Sequence, residues 1–403
     1  MSTFAPALLS GEMSEKRPMR FVGAIGFFFV FRACLTYLFF QDNPITGSIV
    51  NICFGLVLLY GSILYSERPR SISHPSSPIT APLLWIIALL MLSLASATWT
   101  GAQSVAAALA FWTGMAADVV IVLLLLRAAN PERYAVELMK GAVMGAVGLA
   151  LVAWCSPVTE DLRLGNVAFL HPNTLGLELG LATLIGQYLA PLGAKWKWIS
   201  IALGITLLRT LSKTAIIAFV IAEGWYVLQN KEMTRRAKFY LSAATLLVVV
   251  SFWGLLSTYI DAYASTGSGD QVETLTGRTV LWAAAFSMSM EKPWFGHGIY
   301  SFKALIPAFG EFQAVHAHNE FLQQFFEYGL AGVVIVGMIY LSFFRQARRA
   351  APGSLRTLSL SLLLFALVRG LTDTTNFGLS YPLWLLATLT VCLARPNVVE
   401  VEQ

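Results

Sequence analysis

Apolar segments of bilayer-spanning length, or close to it, recur along the whole chain, separated by short polar stretches. A hydrocarbon core about 30 Å thick takes about 20 helical residues. On that ruler the pattern predicts spans over 21–40, 46–65, 81–97, 105–127, 136–155, 173–190, 197–210, 213–229, 239–258, 328–344, 355–371 and 379–395. The first run follows Lys16, Arg17 and Arg20 but is too long for the apolar region of a secretory signal, and no small-residue cleavage site follows it. It reads as the first span. The pair at 197–229 reads either as two tilted helices or as one long helix broken near Ser212.

Composition narrows the class. Of 403 residues, 57% are hydrophobic and 12% charged, with a mean hydropathy of +0.67. Soluble domains carry about 25% charged residues, and single soluble cores stop growing near about 250–300 residues. A soluble enzyme, a disordered chain and a disulfide-stapled secreted domain are therefore excluded. Cys34, Cys53, Cys155 and Cys392 are widely spaced in apolar stretches and read as small buried hydrophobes, with no CxxC pair.

The net charge of +5 speaks to orientation rather than to a nucleic-acid partner. With the N-terminus placed in the cytoplasm, 18 of the 27 Lys and Arg fall on inner loops. Arg32 and Lys140 fall inside spans, and seven cations lie outside: Arg163, Arg209, Lys213, Arg278, Lys292, Lys303 and Arg369. This bias satisfies the positive-inside rule, and an even number of spans puts both termini in the cytoplasm. The expected fold class is an all-α integral membrane protein of about twelve transmembrane helices.

One connection is long. Residues 259–327 join two spans on the outer side, and loops of that size are uncommon without a function. The chain thus divides into a bundle of about nine spans over 1–258, the external loop, and C-terminal helices with a tail over 328–403. Within the loop, Tyr263–Asp270 is a Ser/Gly-rich linker and Thr279–Met290 an amphipathic helix with Trp282 and Phe286 on one face. Lys292–Gly298 (KPWFGHG) is a turn cluster, and His318–Tyr328 a helix entering the next span.

Chemistry is expected on the outer face. Arg278 follows Gly277 and opens the Thr279–Met290 helix, so its guanidinium lies near a positive helix end suited to phosphate. Arg209 and Lys213 are four apart, which on one helix makes an unfavourable like-charge pair unless an anion sits between them. Snorkelling at the membrane edge is the other explanation. Arg369 and Asp373, also four apart, read as a helix salt bridge or as part of a site. His74 lies in a Ser/Pro-rich inner linker, whereas His171, His297, His316 and His318 are external. His316 and His318, two apart, point in different directions on a helix, so no metal site is expected. A histidine at a helix start is well placed to take a proton from a hydroxyl near neutral pH. Trp282, Trp294 and Tyr300 suit sugar stacking or interfacial anchoring equally.

Four blocks then combine. His318-Asn319, nine residues, and Gly329-Leu330-Ala331-Gly332 read HN-x9-GLAG. Gly277-Arg278-Thr279-x-x-Trp282 is followed by Pro293 and Gly296-x-Gly298. Upstream stand Leu211-Ser212-Lys213-Thr214-Ala215 and Phe169-x-His171-Pro172-Asn173-x-x-Gly176. In this order the blocks resemble those of the O-antigen ligase and polysaccharide polymerase superfamily, over residues of about 165 to 335.

The resemblance implies an inverting glycosyltransferase of the bacterial inner membrane, metal-independent and without cofactor, working on the periplasmic face. Its donor would be an undecaprenyl-pyrophosphate-linked glycan. Its acceptor would be a sugar hydroxyl on lipid A–core or on another lipid-linked chain, leaving ligase and polymerase open. Arg278 would bind the pyrophosphate and His318 serve as base or acceptor-orienting group. Lys213, where many members have arginine, keeps the charge but loses the bidentate fork. Lys213, Arg209, Asn319, Trp282, His171, Asn173 and Arg369 are the expected substrate contacts. The chemistry is self-consistent: a pyrophosphate leaving group needs cations rather than an acid. No DxD-like carboxylate pair stands on the outer loops, with Glu160-Asp161 the nearest approach. A flippase is the alternative. It would use ionisable residues near the midplane, here Arg32, Asp118, Lys140 and Glu178, but no internal repeat is visible.

Overall fold

A computed structural model describes residues 19–32, 34, 44–65, 80–127, 131–156, 163–165, 170–230, 233–236, 238–243, 247, 250, 275–308, 314–374 and 381–394. The outer end of the first expected span, most of the span at 239–258, the Tyr263–Asp270 linker, His74, Glu160-Asp161 and Phe169 lie outside the described residues.

Regular structure among the described residues is helical: α1 (19–32), α2 (Pro44–Tyr65), α3 (Ala81–Ser96), α4 (Val105–Leu125), α5 (Pro131–Cys155), α6 (Pro172–Leu189), α7 (Ala194–Arg209), α8 (Lys213–Gln229), α9 (Leu275–Ser289), α10 (Phe302–Leu305), α11 (Glu320–Arg349), α12 (Ser354–Gly370) and α13 (Tyr381–Leu393). Residues 238–243 are helical as well. Local signals set the helix starts. Ser104 Oγ accepts from Ala107 N to cap α4, and Pro172 supplies the fixed φ that suits the first turn of α6. Among the described residues, four helices are long and apolar enough to cross a membrane: α4, α5, α6 (extended by a 3₁₀ turn to Leu192) and α11. Large apolar side chains such as Leu84, Met91, Leu151, Ile205 and Leu228 point outward, as lipid-facing surfaces require.

Small residues let the helices approach closely. A Cβ on Gly26 would overlap the Leu138 carbonyl, and one on Gly141 the Gly23 carbonyl, so α1 and α5 cross backbone to backbone. Arg32 of α1 makes a two-pronged pair with Asp118 of α4, one contact at 2.8 Å, with both side chains buried. Two of the four ionisable residues weighed for a flippase therefore neutralise each other. A third, Lys140, bonds Glu137 one turn away on its own helix.

The segment expected to be external has its own small core. Leu281, Ala285, Phe302, Ile306, Ala314, Ala317 and Phe326 pack together, with the Phe302 and Phe326 rings 4.8 Å apart. This corrects the expected face of the amphipathic helix: α9 buries Leu281 and Ala285, whereas Phe286 is exposed and Trp282 part-buried.

Helix α11 is kinked at Gly329, whose φ of +64° favours glycine. The kink frees the carbonyls of Phe326 and Glu327, which accept from His297 N (2.9 Å) and Gly298 N (2.8 Å). Leu330 N returns a bond to the Pro293 carbonyl (2.7 Å) and Ala331 N one to Trp294 (3.2 Å). The turn cluster and the GLAG block are thus one docked backbone unit. A Cβ at Gly329 or Gly296 would strike the facing chain.

Candidate functional site

The segment before α11 is held from both sides. Trp282 Nε1 donates to the Ala317 carbonyl (2.7 Å), and Ala317 N donates to Gln323 Oε1 (2.7 Å). Asn319 caps α11, its Oδ1 accepting from Leu322 N (3.0 Å) while its Nδ2 donates to the Leu371 carbonyl (3.0 Å). Between these anchors His318 adopts a left-handed φ of +51°, a conformation that costs energy and persists where the surroundings enforce it.

His318 Nδ1 lies 3.1 Å from Asp373 Oδ1. Asp373 Oδ2 in turn accepts from Arg369 Nη2 (2.9 Å), and both of these side chains are buried. Arg369 also donates to the carbonyls of Thr374 (3.2 Å) and Asn173 (3.4 Å). Burial would raise the Asp373 carboxyl, but Arg369 and the His318 bond outweigh it and hold the group below the usual carboxylate range. Helix α12 ends at Gly370, so the expected intrahelical pair of Arg369 and Asp373 instead closes the turn after the helix. Its second function is to fix a histidine 55 residues upstream.

His316 and His318 are not on a helix, which overturns the expectation that they diverge. Their rings meet with centroids 4.1 Å apart, and His316 Nδ1 accepts from His318 N (3.3 Å). Burial chiefly, and then the neighbouring His318, push the His316 imidazole down to about 3, which leaves it a neutral acceptor. His316, His318 and Asp373 bring three possible metal-ligand atoms within 4.8 Å of one another. Nδ1 of His318 already faces Asp373, however, and Nδ1 of His316 faces a backbone N–H.

The cations converge from three other places. Arg278, on the first turn of α9, donates from Nη1 to the Thr372 carbonyl next to Asp373. Lys213 is the first residue of α8 and feels the charges of Arg163 and Arg278. Arg163 donates to the Thr210 carbonyl (3.2 Å) and to Asn173 Oδ1 (2.7 Å), an oxygen that also accepts from Ser212 Oγ (3.0 Å). His171 caps α6, its Nδ1 accepting from Asn173 N (3.2 Å). Gly176 lets α6 touch the start of α8, where a Cβ would sit 2.8 Å from that of Ala215. The positive ends of α6 and α8 therefore open side by side among cations, an arrangement suited to an anion.

The expected pairing of Arg209 and Lys213 on one helical face is corrected. The chain breaks between them at Leu211, whose φ is +51°, so they belong to the end of α7 and the start of α8. Arg163 takes the neighbouring place that the spacing gave to Arg209. Arg163 is among the expected outer cations but stands in none of the motif blocks, and its partner Asn173 lies ten residues further along the chain.

Two comparisons bear on this geometry. Residues 198–337 match the family described as O-Antigen ligase. The chain is also 24% identical, over 301 residues, to the Exopolysaccharide production protein ExoQ of Rhizobium meliloti (strain 1021). That match covers 67% of this chain and 66% of the relative, just under two thirds of its length. Both likenesses support the O-antigen ligase/polymerase family. The matched region of that family includes Lys213, Arg278, His318 and the GLAG kink, while Arg163, Arg369 and Asp373 lie outside it and complete the cluster.

Proposed function

We propose that this chain is a membrane glycosyltransferase of about twelve spans in the bacterial inner membrane. It moves a glycan from undecaprenyl pyrophosphate to a sugar hydroxyl on the periplasmic face. The observation that carries the reading is the His318–Asp373–Arg369 chain set beside Arg278, Lys213 and Arg163. With Nδ1 protonated and donating to Asp373, the tautomer assigned from that bond, Nε2 of His318 keeps its lone pair.

The acceptor hydroxyl attacks the anomeric carbon on the face opposite the pyrophosphate, which inverts the centre. The new C–O bond forms as the C–O bond to phosphate breaks, and the proton passes to His318 Nε2. Undecaprenyl pyrophosphate leaves with the electron pair, its growing charge met by the Arg278 fork, the Lys213 ammonium and the end of α8. No metal has a step in this scheme. Arg163 and Arg369 orient the cluster, and Asn319, Trp282, His171 and Asn173 hold the backbone that presents it.

Likeness to a protein named for exopolysaccharide production favours polymerisation, with a second lipid-linked chain as acceptor, over ligation to lipid A–core. The test is purified protein with undecaprenyl-pyrophosphate glycan and both acceptor types. A new glycosidic bond with inverted configuration is expected. Translocation of glycan without any new bond would defeat the reading.

A further inference from the structure

A pocket lies beside the site, and none of His318, Arg278 or Lys213 lines it. Its volume is about 70 Å³, room for about five water-sized groups at roughly 10–15 Å³ each. Leu89 and Ser93 of α3, Phe111 and Met115 of α4, and the first turns of α11 form its walls. The polar lining is Gln323, Gln324, Glu327 and Thr374, and Thr374 directly follows the carboxylate that holds His318.

Among the buried atoms of this lining without a hydrogen-bond partner are Gln324 Oε1 and Thr374 Oγ1. Their residues are only 4% and 5% exposed. Orphaned buried polar atoms are costly unless something pairs with them. At the mouth stand Lys303 and Tyr300, the latter with its ring 5.2 Å from that of Phe111. Tyr300 is held at a φ of +63°. Only three non-glycine described residues have positive φ, and the other two are Leu211, beside the cation cluster, and His318 itself. Strain of this kind collects at functional positions.

The lining suits pyrophosphate poorly, because it includes the Glu327 carboxyl and two carboxamides and its one cation is the exposed Lys303. Carboxamide, carboxyl and hydroxyl groups beneath an aromatic ring are the chemistry that binds the hydroxyl edge of a sugar. We propose that this pocket is the acceptor subsite, holding one sugar ring of the acceptor glycan so that the ring's attacking hydroxyl reaches His318. The inference rests on the transferase reading, and it adds the place and the residues that choose the acceptor.

The test is binding, independent of turnover. The probe is the repeat-unit oligosaccharide released by mild acid from the host's own surface polysaccharide, with inorganic pyrophosphate as the contrasting ligand. Gln324→Met and Thr374→Val keep the side-chain shape; the second removes one hydroxyl, and the first removes the unpaired Oε1 together with the Nε2 that donates to Glu320 Oε1 (3.1 Å). Each is expected to weaken oligosaccharide binding about three- to tenfold, the size of one lost hydrogen bond, while pyrophosphate affinity stays within about twofold. In the transfer assay the same variants raise the acceptor KM and leave the donor KM unchanged. Unaltered oligosaccharide affinity in both variants, or an equal loss of pyrophosphate affinity, overturns the proposal. A wild-type protein that binds the oligosaccharide through Gln324 yet transfers nothing would count against the transferase reading instead.

Discussion

Nδ1 of His318 and Oδ1 of Asp373 stand 3.1 Å apart although 55 residues of chain separate them. The pair joins the start of α11 to the turn after α12, and the buried Arg369 fixes the carboxylate from behind. A histidine so held has its orientation and tautomer set before substrate arrives, which is what a proton acceptor for a sugar hydroxyl needs.

His318→Ala removes that acceptor and is expected to lower the transfer rate by about 10²–10⁴-fold. Asp373→Asn keeps the shape but loses the charge and the preference for the Nδ1 proton, and it is expected to reduce the rate by at least about tenfold with little effect on donor KM. Initial rates with purified protein and lipid-linked donor check both. Full activity in either variant would remove the dyad from the mechanism.

Arg278→Lys retains the charge but not the fork, so donor KM is expected to rise about tenfold, and further in Arg278→Ala. Arg163→Ala is expected to act in the same direction, because Arg163 both adds charge beside Lys213 and ties Asn173 to the break before α8. Lys213→Arg is expected to keep donor binding. A donor titration separates these effects from changes in acceptor KM.

His316 is held neutral, pushed down to about 3, whereas in the unfolded chain it takes a proton near its ordinary value of 6.5. The unfolded state therefore binds more protons over that window, and stability falls as the pH drops from 6.5 toward 3. Asp373 acts in the same direction at lower pH. Its lowered carboxyl contributes stability above the unfolded value of 3.8 that is lost only as the pH falls through the lower folded value. Thermal unfolding followed by tryptophan fluorescence is expected to show a shallower decline between pH 6.5 and 4 in His316→Gln than in the wild type.

Gly329→Ala forces a side chain onto a φ of +64° and into the backbone at Trp294 and Phe295. The conformational cost alone is on the order of 1–3 kcal/mol, and the clash adds to it. Lower yield and a lower unfolding temperature are expected, together with loss of activity. Gly337→Ala, on the same helix with open space at its Cβ, is the control that leaves both unchanged.

EDTA is expected to leave transfer intact, since both Nδ1 atoms of the histidine pair already have protein partners. Loss of activity on chelation, restored by one divalent ion, would instead make His316, His318 and Asp373 a metal site.

The sequence by itself determined the solvent, the helices and the motifs. Apolar runs of bilayer length can satisfy their backbone only as helices, so 81–97, 105–127 and 355–371 fall within two residues of α3, α4 and α12. His318, Arg278 and Lys213 were legible because each sits in a block with fixed local spacing. Tertiary structure alone decided what those blocks do to one another. Spacing suggested Arg209 for Lys213, but a left-handed residue at Leu211 turned the chain, and Arg163 arrived from a loop. Helical geometry separated His316 from His318, but outside a helix, with His318 at a positive φ, their rings meet edge to face. The partners that orient His318, and the pocket beside it, come from α3, α4 and the end of α12. Periodicity reports contacts within one element. A site assembled where four helix starts and a helix end meet depends on distances that no single stretch of sequence contains.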